Sequence, residues 1–266
     1  MGKAIVVTSG KGGVGKTTTT SNIGAGLASL GNKVVLVDMD TGLRNLDISL
    51  GLENRVVYTL MDILEKNCEI DQALVKEKHS DERLFLLAAS QTNKKEDVPK
   101  EAFYHLIEEL KQKFDYVLID CPAGIEYGFT VATSPADEAI IVVTPDVTSV
   151  RDADRVIGLL ENVGIKEYSL IINRYDPEMI EKKKQLQKED ISEILGLKIM
   201  GIIPNDTKIT EAANKGEVML YMNPLSPASK AFMVTAKKIT GENIQVETKP
   251  ATFNFKETFL GFFRRA

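Results

Sequence analysis

The amino-acid sequence predicts an α/β fold, in which a mostly parallel β-sheet carries helices on both of its faces. Two observations lead to this prediction. Seven short apolar runs have the length of β-strands, and most of them are separated by helical segments of about ten or more residues. Strands of a parallel sheet are buried on both sides, and a crossover of about that length joins each strand to its parallel neighbour.

The predicted strands and helices alternate along the chain. The strands are expected within residues 3–9, 32–40, 83–89, 114–124, 137–145, 167–176 and 197–206. The helices are expected over residues 16–30, 56–65, 100–112, 150–162, 187–195 and 227–239. The segment 73–82, before the third strand, predicts helix and loop. Composition then predicts one domain over residues 1–240, a polar linker over 241–252 and a tail over 253–266.

Composition and charge exclude several classes of protein. A net charge of −5 argues against nucleic-acid binding over a broad surface. The two cysteines, Cys68 and Cys121, lack metal-site spacing and favour a reducing compartment. The apolar run at residues 4–7 is too short for a signal peptide, and no apolar stretch approaches the roughly 20 residues of a transmembrane helix. We therefore expect a cytoplasmic protein that is at most peripheral to the membrane.

A glycine-rich loop follows the first predicted strand and opens the first helix. Its sequence, GKGGVGKT from Gly10 to Thr17, satisfies the phosphate-loop pattern G-x-x-x-x-G-K-[ST]. Backbone N–H groups of such a loop surround phosphate oxygens, and the helix N-terminus adds partial positive charge. Lys16 would contact the β- and γ-phosphates, and the Thr17 hydroxyl would bind Mg²⁺. The predicted nucleotide-binding residues here are Gly10, Lys11, Gly12, Gly13, Val14, Gly15, Lys16, Thr17 and Thr18.

Acidic residues follow two of the other predicted strands. Asp120 ends the apolar run YVLID, a Walker B pattern whose carboxylate would hold Mg²⁺. Asp38 and Asp40 follow the second strand, where one carboxylate would lie near the metal and the other would orient the attacking water. The alternative is that these acids only cap the end of a strand. We predict metal binding by Thr17, Asp120 and one of the two acids Asp38 and Asp40.

The loop contains a lysine, Lys11, that an ordinary phosphate loop does not need. Because the loop backbone wraps its own phosphates, this side chain cannot easily fold back onto them. It is better placed to point outward, toward nucleotide held by a second copy of the chain, where it would neutralise transition-state charge. The alternative is a solvated lysine.

The segments GKGGVGKTT, VDMDTGLRNLD, DCPAGIE and GIIPND together resemble the deviant Walker A ATPases and, within them, the MinD family. The resemblance covers essentially the whole chain. It implies a Mg²⁺-dependent ATPase that forms an ATP-sandwich homodimer and controls the placement of the bacterial division site. Lys11 matches the signature lysine that acts in trans, Asp40 matches the acid that positions water, and Asp38 matches a neighbour of the metal.

Further residues and partners follow from the same resemblance. Residues similar to the adenine-recognition segments are Asn173, Arg174, Pro204 and Asp206. Family members recruit a division inhibitor, MinC, and in some bacteria meet an activator of hydrolysis, MinE. Arg44 and Asn45 lie where such partners and the dimer interface would meet. The predicted catalytic residues are Lys11, Lys16 and Asp40.

The tail predicts a membrane anchor. Residues 253–266 hold five of the ten phenylalanines, and as a helix they would form one apolar face with basic flanks. The predicted membrane contacts are Phe255, Phe259, Leu260, Phe262, Phe263, Arg264 and Arg265. One tail would bind an anionic membrane marginally, and two held together would raise avidity by roughly 10²–10⁴. The alternative is a terminal helix that packs on the domain's own core.

Other functions stay open at this point. A relative that places flagella would share both the loop and the tail. A ParA-like DNA-partitioning protein would need a basic surface, for which residues 182–184 are the only dense candidate, and such runs are more often solvated helix faces. A metallocluster protein would have only Cys68 and Cys121 to use. No nucleic-acid partner is expected.

Overall fold

The computed structural model describes residues 1–41, 44–122 and 124–242, which contain an eight-stranded sheet. The strands are β1 (Lys3–Thr8), β2 (Val34–Asp38), β3 (Leu74–Lys76), β4 (Leu84–Leu87), β5 (Tyr116–Asp120), β6 (Glu138–Val143), β7 (Glu167–Tyr175) and β8 (Ile199–Pro204). Their order across the sheet is β3-β4-β2-β5-β1-β6-β7-β8. All neighbouring strands are parallel except β3 and β4. The predicted mostly parallel sheet is therefore confirmed.

The edge strand β3 corrects one prediction. Residues 73–82 were expected to form helix and loop, but Leu74–Lys76 pairs antiparallel with β4. A strand of three residues is too short to show a period-2 pattern in the sequence. Burial of Val75 on the sheet and pairing with β4 stabilise it, and both depend on residues distant in the chain.

Helices cover both faces of the sheet. The longer ones are α1 (Lys16–Ser29), α5 (Lys100–Lys113), α6 (Tyr127–Thr133), α7 (Val147–Asn162), α9 (Lys188–Leu195), α10 (Thr207–Asn214) and α12 (Pro227–Ile239). The shorter ones are α2 (Leu46–Leu50), α3 (Leu60–Leu64), α4 (Ile70–Ala73), α8 (Pro177–Glu181) and α11 (Met219–Met222), with 3₁₀ turns at Glu53–Arg55 and Lys95–Asp97. All six predicted helices are present, and α2, α4, α6, α8, α10 and α11 were not predicted.

Helix caps explain two shifted boundaries. The helix predicted over 56–65 begins only at Leu60, because Thr59 and Asp62 form a capping box in which the Thr59 N–H donates to Asp62 Oδ2 at 2.7 Å. By contrast, α7 begins three residues before the predicted start. The Asp146 carboxylate accepts from the Ser149 N–H at 3.0 Å and so caps the helix earlier.

The core has two layers, one on each face of the sheet. Alternate residues of a strand enter different layers: Val6 of β1 packs in the layer under α5 and α7, and Val7 in the layer under α1 and α12. Phe103 and Phe232, both fully buried, anchor α5 and α12 to their layers. Burying such a side chain contributes about 1.5–3 kcal/mol, so these layers fix the positions of the strand ends.

Among the described residues, no helix has the length and apolarity needed to cross a membrane. The predicted tail, with the seven residues expected to contact a membrane, lies outside the described residues, as does most of the linker.

Candidate nucleotide-binding site

The candidate site lies where the carboxyl ends of three adjacent strands meet. β1 leads into the glycine-rich loop, while β2 ends at Asp38 and β5 at Asp120. These strands are neighbours in the order β2-β5-β1. Since parallel strands present their carboxyl ends at one edge, the topology brings the loop and both acids together, in the place where α/β sheets bind ligands.

Glycine is required at two places in the loop. Gly15 has φ of 97°, and a Cβ there would lie 2.3 Å from Asn173 Nδ2. Gly10 lies against α7, where a Cβ would approach the Asp152 backbone to 2.3 Å. Gly15 thus permits both the left-handed turn into α1 and the close approach of β7.

Lys16 lies inside the loop. Its side chain is buried, and Nζ donates to Ser9 Oγ at 3.1 Å. The Ser9 hydroxyl in turn donates to the Lys11 carbonyl at 2.7 Å. These contacts hold the Lys16 ammonium across the loop, a position suited to the phosphate contact that the sequence predicts.

Two hydroxyl groups of α1 hold Asp120. Thr17 Oγ1 donates to Asp120 Oδ2 at 2.6 Å, and Thr20 Oγ1 lies 3.2 Å from Asp120 Oδ1. Burial raises the pKa of Asp120, although the hydrogen bond from Thr17 and the charge of Lys16 oppose that rise. The predicted pair of Thr17 and Asp120 is therefore one connected unit.

Asp38 lies beside Asp120 and is fully buried. It accepts hydrogen bonds from the N–H groups of Asp40 at 2.9 Å and Leu46 at 3.2 Å. Burial raises the pKa of Asp38, and the neighbouring Asp120 raises it further. The structure also brings Asp40 next to this pair, since its backbone is held by the Asp38 carboxylate.

This set of donors fits a magnesium ion. Two buried carboxyl groups and the Thr17 hydroxyl are hard oxygen ligands of the kind that Mg²⁺ prefers. Two adjacent carboxylates repel each other in a buried place, and a divalent cation would offset that repulsion. Thr17, Asp38 and Asp120 could therefore hold Mg²⁺ directly or through water.

Lys11 contacts different residues from Lys16, and its side chain is half exposed. Its Nζ donates to Thr148 Oγ1 at 3.2 Å and lies 3.9 Å from Asp146 Oδ1. Burial alone would raise the pKa of Asp146, but hydrogen bonds from Thr144, Thr148 and Ser149 and the charge of Lys11 lower it overall. Within its own chain, Lys11 therefore contacts residues at the start of α7, and the predicted action on a second copy stays a prediction.

The predicted adenine-recognition residues have different environments. Asn173 is buried and its Nδ2 donates to the Val14 carbonyl at 2.8 Å, which joins β7 to the loop. Arg174 follows with φ of 57°, and its N–H donates to Asn173 Oδ1 at 3.0 Å. Pro204 ends β8, and the Asp206 carboxylate caps α10 by accepting from the Lys208 N–H. Asn173 is the one among them in direct contact with the loop.

The candidate partner residues lie beside α2. Arg44 has φ of 42°, and its Nε lies 2.6 Å from Asp47 Oδ2. Only 12% of its side chain is exposed. Burial raises the pKa of Asp47, and Arg44 opposes that rise. Asn45 directly precedes α2, whereas Gly42 and Leu43 of the same motif lie outside the described residues.

Sequence reasoning missed several residues of the site. Thr20 lies one helical turn beyond Lys16, so the period of α1 could have indicated it. Asp146 and Thr148 follow β6 in a helix-capping pattern that could have placed them near the loop. A cavity of about 430 Å³ beside the loop also includes Lys184 and Gln185, from a segment whose sequence indicated only a basic run and no nucleotide contact.

Comparisons with known proteins identify the family and the fold. The AAA domain family matches residues 2–172. The septum site-determining protein MinD of Synechocystis sp. is 54% identical over 265 residues, which covers 100% of this chain and 98% of that protein.

Solved structures are similar over nearly the whole domain. A chain of the MinC:MinD cell division protein complex of Aquifex aeolicus has a TM-score of 0.86 and 48% identity, covering 92% of this chain and 98% of its own. MinD of Pyrococcus horikoshii, complexed with Mg-ADP, has a TM-score of 0.81 and 29% identity, covering 90% and 96%.

Proposed function

This chain belongs to the MinD family of septum site-determining proteins, and on that premise we propose that it hydrolyses ATP with Mg²⁺ to control where the division septum forms. The observation that carries the proposal is the buried unit of Thr17, Asp120 and Asp38 beside the Lys16 ammonium. Such a unit suits the β- and γ-phosphates of a nucleotide and their metal ion. The Mg-ADP bound to the relative from Pyrococcus horikoshii supports the choice of ligand.

Each residue of the site has a defined task in hydrolysis. The amide groups of residues 13–18 and the Lys16 ammonium bind and orient the β- and γ-phosphates. Mg²⁺, when bound, neutralises charge on those phosphates, and Thr17, Asp38 and Asp120 hold it. Asp40 orients the water that attacks the γ-phosphorus, and the products are ADP and inorganic phosphate.

ATP binding produces a homodimer in this proposal. Lys11 is about half exposed and its ammonium contacts Thr148, which leaves it accessible to a nucleotide held by a second copy. In the dimer it would leave Thr148 and approach the phosphates held by the partner. A cation in that position stabilises transition-state charge, so hydrolysis depends on dimer formation.

Membrane binding follows from the dimer. The apolar face and basic flanks predicted for residues 253–266 support a cytoplasmic protein that is peripheral on the inner face of the membrane. One tail binds an anionic surface marginally, because chain ordering offsets most of the gain from burial. Two tails in one dimer bind together, and hydrolysis of ATP releases them.

The dimer recruits a division inhibitor similar to MinC. The MinC:MinD complex of Aquifex aeolicus supports this choice of partner. Arg44 and Asn45 remain our candidates for the partner surface, and an activator similar to MinE would stimulate hydrolysis in cells that possess one.

Sedimentation with anionic vesicles tests the proposal. The full chain should pellet with vesicles of anionic phospholipid in ATP and stay in the supernatant in ADP. A chain ending at Gly241 should bind ATP as well as the full chain but pellet in neither nucleotide. Equal pelleting in ATP and ADP would contradict nucleotide control, and lipid binding by the shortened chain would contradict the tail as the anchor.

A further inference from the structure

The lining of the cavity of about 430 Å³ beside the loop does not include the residues of the candidate metal site. It shares residues 11–14 with the loop, but Lys16, Thr17, Asp38 and Asp120 do not line it. Its other walls come from residues 144–146, which directly precede α7, and from Arg174, Met179, Lys184 and Gln185. A ligand there would contact the Lys11 side of the loop rather than the side that faces the chain's own metal site.

Lys184 enters this cavity because the backbone places it there. The Lys183 N–H donates to the Ile180 carbonyl at 2.9 Å, and the Lys184 N–H to the Met179 carbonyl at 2.8 Å. Together with φ of 56° at Lys183, these bonds form a Schellman turn that ends α8. Main-chain atoms make the turn, so the Lys184 side chain is not needed for the local fold.

The next two residues fix the segment against the site. Gln185 Oε1 accepts from the Asp176 N–H at 3.0 Å, and its Nε2 donates to the Arg174 carbonyl at 3.2 Å. The Leu186 N–H donates to the Pro145 carbonyl at 2.9 Å, directly before Asp146. The segment is therefore tied both to β7 and to the start of α7, on which Lys11 rests.

The cavity carries more positive than negative charge. Its cations are Lys11, Arg174 and Lys184, and its one lining carboxylate is Asp146. Asp146 is close to Lys11, whereas in the part of the chain that the structure describes no carboxylate lies within 4 Å of the Arg174 or Lys184 cations. Two uncompensated cations beside Lys11 favour a ligand with several negative charges, such as a nucleoside triphosphate.

We propose that Lys184 contacts the phosphates of the nucleotide held by a second copy of this chain, next to Lys11. This inference rests on the ATP-dependent dimer of the proposed function and adds a residue to it. The chain's own nucleotide lies on the side of Lys16 and Thr17, which do not line the cavity. Because Gly13 and Val14 belong to both the cavity and the phosphate site, the assignment to the other protomer rests on Lys11, which lines the cavity, and on the metal-site residues, which do not.

Two lysines of the same segment give a matched test. Lys184→Ala removes the cation that lines the cavity, while Lys182→Ala removes an exposed one that lies 3.4 Å from Glu178 and outside the cavity. The full-length variants would be studied by analytical ultracentrifugation with Mg²⁺ and a non-hydrolysable ATP analogue. Loss of one contact to a charged phosphate should raise the dissociation constant of the dimer about tenfold in Lys184→Ala. In Lys182→Ala that constant should stay within about twofold of the value for the unaltered chain.

The nucleotide affinity of the monomer shows whether Lys184 contacts its own chain's nucleotide or that of a second copy. Titrated with a fluorescent ATP analogue at concentrations below dimer formation, Lys184→Ala should bind as tightly as the unaltered chain. A loss of affinity there would place Lys184 on the chain's own nucleotide and overturn the proposal. Equal weakening of the dimer by both variants, or no weakening by Lys184→Ala, would also overturn it.

Mixed dimers provide a second measurement. A mixed dimer contains one Lys184→Ala chain and one Asp40→Ala chain. Only the Lys184→Ala chain can hydrolyse its nucleotide, and that nucleotide faces the intact Lys184 of the Asp40→Ala chain. Turnover per competent site should rise to near that of the unaltered dimer, and failure to rise would contradict action in trans. If the unaltered chain forms no dimer with the analogue, the proposed function itself fails, and this result is distinct from every outcome above.

Discussion

Asp38 and Asp120 are register partners on the adjacent parallel strands β2 and β5, and both carboxyl groups are buried. Neighbouring strands lie about 4.8 Å apart, so the two acids share one small volume. Each pays a cost of burial when ionised, and each opposes the ionisation of the other. Burial and mutual repulsion of the two charges lower the stability of the protein unless a cation is present. A metal ion would therefore bind at this position.

Asp38→Asn should stabilise the nucleotide-free protein at pH 8. Burial and Asp120 raise the pKa of Asp38 to about 7. A raised folded-state pKa means that stability is highest below the unfolded value and is lost as pH rises through the folded value. Because the asparagine amide does not ionise, the variant avoids this loss of about 1–3 kcal/mol in the free energy of unfolding. Urea unfolding at pH 5 and pH 8 measures it, and the stabilisation should shrink at pH 5.

The same substitution should weaken binding of Mg²⁺ and nucleotide, since it removes a charged oxygen ligand. If the variant is less stable than the unaltered chain at pH 8, the hydrogen bonds that Asp38 accepts from the Asp40 and Leu46 N–H groups outweigh the repulsion between the two carboxylates.

Thr17→Val should reduce Mg²⁺-dependent ATP turnover about 10- to 100-fold. The substitution keeps the shape of the side chain but removes the hydroxyl that donates to Asp120 Oδ2 at 2.6 Å and would bind the metal. Thr17→Ser keeps the hydroxyl and is the control, with turnover expected near that of the unaltered chain. Steady-state rates over a range of Mg²⁺ concentrations provide the measurement. Equal losses in both variants would contradict the hydroxyl as the deciding group, because Thr17→Ser retains it.

Much of this fold is predictable from local sequence, because each strand of a parallel sheet is a continuous apolar run. β1, β2, β5 and β6 were located to within a few residues for that reason. β3 and the short helices were not, since packing against distant residues stabilises them. For example, the α11 residue Leu220 has its N–H held at 3.0 Å by Asn22 of α1. No pattern around residue 220 could indicate that contact.

The site divides in the same way. Lys16, Thr17 and Asp120 follow a motif whose chemistry requires those residue types, so their meeting was predictable. The tie between Asn173 and Val14, and the turn that places Lys184, depend on how β7 and α8 pack beside the loop. Sequence spacing carries no information on that packing, and only the assembled sheet reveals it.

Gly15→Ala should destabilise the protein and weaken nucleotide binding. A Cβ at φ of 97° is strained, and here it would lie 2.3 Å from Asn173 Nδ2. We expect a loss of about 1–3 kcal/mol in the free energy of unfolding. Gly158→Ala is the control: Gly158 lies in α7, where a Cβ meets nothing within 4 Å. That substitution should stabilise the protein by about 0.5–1 kcal/mol.

Thermal unfolding and nucleotide titration of both glycine variants provide the comparison. If Gly15→Ala unfolds at the same temperature as the unaltered chain, the loop and Asn173 can move apart without cost. The left-handed turn would then have no part in shaping the phosphate site.

Lys11→Gln should leave nucleotide binding by the monomer within about twofold but reduce ATP turnover in the dimer by about 10³-fold or more, as for loss of a cation that acts in trans. The physical reason is the direction of the side chain: Nζ contacts Thr148 at 3.2 Å, while Lys16 alone of the two lysines crosses the loop to Ser9. Titration with a fluorescent nucleotide gives the first quantity and phosphate release at saturating ATP the second. Lys16→Gln is the contrast, because it should lose affinity already in the monomer. If the two variants lose monomer affinity alike, Lys11 serves its own nucleotide, and hydrolysis does not depend on a second copy through this residue.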